Sequence, residues 1–72
     1  MSNTEKTLNK LDVKQREWVE THKRMYKSAK ADNNSAVMKE ESFKSYGFVT
    51  GLEFAGVLTS REKMLIHVYI TL

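Results

Sequence analysis

The residues of this 72-residue chain best equipped for acid–base or metal chemistry are His22, His67, Glu40 and Glu41. A zinc site gathers three or four His, Cys, Asp or Glu ligands at helical or loop spacing. The chain has no cysteine, and neither histidine has an Asp or Glu one helical turn away on its own face. The sequence therefore predicts no metal site and no cofactor. Each histidine reads as a boundary residue with one satisfied ring nitrogen. Glu40 and Glu41 are adjacent, which on a helix sets them about 100° apart, so they read as a solvated face rather than an acid/base pair aimed at one substrate.

Other catalytic patterns fail on spacing or on missing partners. Gly47-x-x-x-Gly51 lacks the Lys-Ser/Thr that follows in a phosphate-binding loop. Without cysteine there is no thiol nucleophile and no disulfide framework, which favours a cytoplasmic setting. A domain this small has little room for an enclosed pocket. The expectation is a non-enzyme with no catalytic residues.

The elements that must carry any function are helices. At 40% apolar and 29% charged residues the composition is that of an ordinary globular chain, and 72 residues suffice for a single domain with a thin core. Leu8, Leu11, Gln15, Trp18, His22, Met25 and Ala29 recur at spacings of three and four, with Val19 and Tyr26 beside them. This is one dry face of a long first helix. Ser2-x-x-Glu5 and Asp12-x-x-Gln15 both fit capping geometry, so it starts near Thr4 or near Val13, with residues 1–6 frayed. Asp32-Asn33-Asn34-Ser35 marks a turn. A second helix, capped by Asn34 or Ser35, then runs to about Ala55. Gly56, with Val57 after it and the capping box Thr59-x-x-Glu62, predicts a tight corner and a third helix from Ser60 to Ile70. The fold class is a small all-α three-helix domain. The alternative is α+β, since residues 64–72 alternate with period two and could form a strand or hairpin with residues 48–54. No apolar stretch approaches the roughly 20 residues that cross a bilayer, and the first residues do not form a secretory signal.

Two surfaces remain for function. Gly47, Gly51 and Ala55 lie on one helical line, and each helix-interior glycine costs about 1 kcal/mol against alanine. The first expectation is that this line lies in the core, with Trp18 or Met25 over the glycines. The sharper one is a furrow for a homodimer or another partner. The second surface is basic. Residues 1–45 hold ten Lys/Arg against seven Asp/Glu, which accounts for the whole net charge of +3. Arg16, Lys23, Lys27 and Lys30 form a stripe beside Lys14 and Arg24, interrupted by Glu17 and Glu20.

These readings converge on an interaction module that regulates, adapts or inhibits a larger protein, of the small kind found in bacteria, phages and mobile elements. Its anchors would be Trp18, Tyr26, Tyr46, Phe48 and Phe54 with Gly47, Gly51 and Ala55, and Lys23, Lys27 and Lys30 would steer an acidic partner. The alternative is a dimeric nucleic-acid-binding regulator that uses Arg16, Lys23, Arg24, Lys27 and Lys30. Residues 60–72 are too apolar to be a recognition helix.

Overall fold

The computed structural model describes residues 2–72. It is all-helical, with four helices among the described residues: α1 (Asn3–Leu8), α2 (Val13–Ala31), α3 (Ser35–Phe54) and α4 (Ser60–Ile70). The predicted long first helix is two helices, because both candidate caps are used. The Ser2 hydroxyl accepts from the Glu5 amide at 3.1 Å and starts α1. Asp12 stands extended at ψ 175° and starts α2 with a full capping box: its carboxylate accepts from the Gln15 amide at 2.8 Å, while the Gln15 side chain accepts from the Asp12 amide at 3.0 Å. The extended residue turns the chain between Leu8 and Val13. Leu8 and Leu11 thereby enter the same core from different directions.

The other two boundaries fall where the turn chemistry places them. Asn33, at φ 54°, takes the left-handed conformation after α2. The amide of Asn34 donates to the Ala29 carbonyl at 2.8 Å and that of Asn33 to Lys30 at 3.2 Å, a Schellman closure. Asn34 then caps α3 by accepting from the Val37 amide at 3.2 Å. At the far end of α3, Gly56 at φ 78° repeats the motif, with Val57 donating to Leu52 at 2.9 Å and Gly56 to Glu53 at 3.0 Å. Thr59 opens α4 with the second capping box, exchanging bonds of 3.2 and 3.0 Å with Glu62. The alternative C-terminal strand does not form. Residues 48–54, its proposed partner, belong to α3, and Ile66 and Ile70, one helical turn apart, face the core together.

One core cluster joins all four helices: Leu8, Leu11, Val19, Val49, Leu52, Leu58, Ile66 and Ile70, with Trp18, Phe48, Val57 and Tyr69 packed on it. Helix α4 is the hub, touching α1, α2 and α3, while α2 and α3 also pack on each other. Lys10, in the turn between α1 and α2, grips Glu62 of α4 with contacts of 2.7 and 2.8 Å.

Candidate functional site

The titratable residues meet in the seam between helices. His22 Nδ1 of α2 lies 2.5 Å from the Glu41 carboxylate of α3. The imidazole also stacks on Trp18 at 3.8 Å, and Trp18 stacks in turn on Phe48 at 4.0 Å. The prediction that Glu41 belongs to a solvated face is corrected: Glu41 is 1% exposed. Glu40, its neighbour, is exposed and pairs with Lys44 at 3.0 Å. One turn further along α3, the Ser45 hydroxyl lies 2.8 Å from His67 Nδ1 of α4. Burial holds His67 below the ordinary histidine range, which favours the neutral ring.

A serine beside a histidine is the start of a nucleophilic pair. Here, however, Ser45 has no exposed surface, and the surface grooves described below are lined by other residues. The arrangement satisfies buried polar groups. Among the described residues no buried side-chain nitrogen or oxygen lacks a hydrogen-bond partner, and no group of three His, Asp or Glu is placed to hold a metal.

The outward face of α3 is different in kind. Phe43 is 69% exposed and Phe54 89%, with Tyr46 half exposed beside them. Between them Gly47 and Gly51 open to solvent, and a Cβ built on either would meet nothing within 4 Å. Ala55 is exposed as well. The expectation that Trp18 or Met25 covers this line in the core is overturned: α3 turns Glu41, Ser45, Val49 and Leu52 inward, and α2 meets it through His22 on Glu41 and Trp18 on Phe48. Trp18 lies on Phe48, and Met25 faces solvent.

The predicted anchors therefore separate. Phe54, Gly47, Gly51 and Ala55 are exposed on α3, Tyr46 is half exposed with its ring edge-on to His67 of α4 at 5.6 Å, Trp18 and Phe48 pack against the core, and Tyr26 is half-buried on α2. Phe43 joins the surface as a further exposed aromatic. Its signal was the spacing Phe43, Gly47, Gly51, Phe54, four, four and three residues apart on one helical line.

The basic stripe is divided among internal tasks. Lys23 donates to the Tyr69 carbonyl at 2.7 Å and sits 3.9 Å over the Tyr69 ring. Lys30 donates to the Leu72 carbonyl at 3.2 Å. Both place positive charge at the C-terminal end of α4, where the helix dipole favours it. Arg16 bonds Asn9 at 3.0 Å and Arg24 reaches Thr21 at 3.5 Å, while Lys27 is exposed.

Fold and surfaces together define a small four-helix domain with a closed polar seam and an open aromatic and glycine face. No family model, no curated protein and no solved structure matches the chain. No helix among the described residues is long and apolar enough to cross a membrane.

Proposed function

We propose that the chain is a non-enzymatic protein-interaction module that docks on a larger protein, in the cytoplasm, as a regulator, adaptor or inhibitor, through the outward face of α3. One observation carries the reading. Phe43 and Phe54 bracket two helix-interior glycines on a face that none of the described residues covers. Each of those glycines costs the helix about 1 kcal/mol against alanine, and no packing among the described residues offsets that cost. A partner backbone lying along the glycine furrow would offset it. The flanking phenylalanines would then supply the buried aromatic anchors that dominate binding energy in protein interfaces.

The test is the double variant Phe43→Ser/Phe54→Ser. Because both rings are exposed, its melting temperature should stay close to that of the parent chain. Its affinity for the protein captured by the parent chain from the native host should fall by at least about a hundredfold, the size expected when two anchors are lost. Undiminished capture by this variant would contradict the reading.

A further inference from the structure

A second surface carries its own chemistry. Along the outer side of α4, between Thr4 of α1 and Lys23 of α2, runs an open trough of about 390 Å³. Its floor is the outer face of α4, where Met64 and Val68 are exposed and Leu65 is half-buried, continued by exposed Leu72 just past the helix end. Among the described residues the charged side chains that line it are Lys23 and Arg61, and no acidic side chain does. Lys23 is held in place by the Tyr69 carbonyl and ring. Arg61 has no ion-pair partner among the described residues. Glu20 is turned to the Tyr69 hydroxyl at 2.7 Å and lines the neighbouring groove instead.

We propose that this trough is a docking site for an acidic amphipathic helix of a partner protein. The proposal rests on the reading of the chain as an interaction module, but it uses a face separate from the outward face of α3. From Arg61 to Ile70 α4 is about 14 Å long at 1.5 Å per residue, which is the reach of about two and a half turns of a guest helix. Apolar residues of the guest at i, i+3, i+4 and i+7 would lie along Met64, Val68 and Leu72. Its carboxylates would face Arg61 at one end and Lys23 further along, the charge complementarity that selects an acidic over a basic guest. Val68 is 49% and Leu72 72% exposed, so the trough is too open to enclose most of a small molecule, as ligand pockets do. A nucleic acid would gain nothing from an apolar floor, and a flat lipid surface would not reach into a trough.

The experiment uses the full chain and three reagents: a fluorescein-labelled synthetic helix with leucines at that spacing and glutamates on its flanks, the same peptide with lysines for glutamates, and phosphatidylserine vesicles. The acidic peptide should bind at least about tenfold tighter than the basic one. Val68→Asp and Arg61→Glu, both at exposed positions whose melting curves check the fold, should each weaken it by a similar factor. Backbone amide shifts on titration should centre on residues 61–72 and on Lys23. The Phe43→Ser/Phe54→Ser variant should bind the acidic peptide as the parent does. That result together with lost partner capture would separate failure at one face from failure at the other. No binding of the acidic peptide, equal affinity for both peptides, shifts centred on α3, or vesicle binding that displaces the peptide would each overturn the proposal.

Discussion

At the scale of single residues, the chemistry resides in two buried contacts, Glu41 with His22 and Ser45 with His67. Glu41 was legible in principle. Val37 or Met38, Glu41, Ser45, Val49 and Leu52 follow one helical line, so the carboxylate and the hydroxyl stand on the apolar side of α3. What the sequence hides is the partner, because His22 lies nineteen residues away on another helix. A carboxylate this buried should be costly to unpair. Glu41→Ala, which leaves His22 facing an empty site, is expected to destabilise the fold by about 3–5 kcal/mol, and the double variant His22→Leu/Glu41→Met should recover most of the loss. Far-ultraviolet circular dichroism should show Glu41→Ala largely unfolded, and urea denaturation of the double variant beside the parent chain checks the recovery. Acid should act in two stages. With its pKa held below 6.5 by burial, His67 binds its proton more readily in the unfolded chain. Its contribution is thus fully present above pH 6.5 and is lost as the pH falls below that value. Glu62 is held below 4.5 by hydrogen bonds from Lys10 and the Thr59 backbone, and Glu53 by those from Ser60 and Lys63. Their contributions remain until the pH drops below 4.5. Melting temperatures from pH 8 to pH 3 should show both limbs, and His67→Gln should flatten the upper limb while leaving the lower one.

At the scale of elements, boundaries were legible wherever a local hydrogen-bond signal sets them. Asn34, Gly56 and the Thr59 capping box act within a few residues, and the corner between α3 and α4 forms where they place it. The break between α1 and α2 was harder, because two valid caps, at Ser2 and Asp12, compete inside one apolar periodicity. The burial of Leu8 and Leu11 together decides that both are used. The outward turn of the glycine line was not legible, since it depends on which face of α3 meets α2. The glycines now predict opposite signs. Gly51→Ala, in helical backbone with open space around the new methyl, should stabilise the chain by about 0.5–1 kcal/mol. Gly56→Ala, forced into a left-handed backbone, should destabilise it by about 1–2 kcal/mol. Thermal denaturation of both variants, followed by circular dichroism, reads the contrast. Partner binding should weaken in Gly51→Ala even as the fold gains stability.

At the scale of the whole molecule, a core of eight buried apolar side chains must hold four helices together. A single core of this size rarely contributes more than about 3–5 kcal/mol. Ile66 stands fully buried at the hub helix, and Ile→Ala at such a site costs about 2–5 kcal/mol. Ile66→Ala should therefore be largely unfolded at 25 °C by far-ultraviolet circular dichroism. Against so small a reserve, apolar side chains left outside the core are conspicuous: Phe43 and Phe54 on α3, Val68 on α4 and Leu72 just past its end. The central claim is that the α3 face binds protein, and photo-crosslinking in cells of the native host addresses it most directly. A photoreactive residue at position 54 should yield one discrete adduct with a larger protein, and the same residue at exposed position 28 on α2 should yield none. No adduct from position 54, or the same adducts from both positions, would contradict the account.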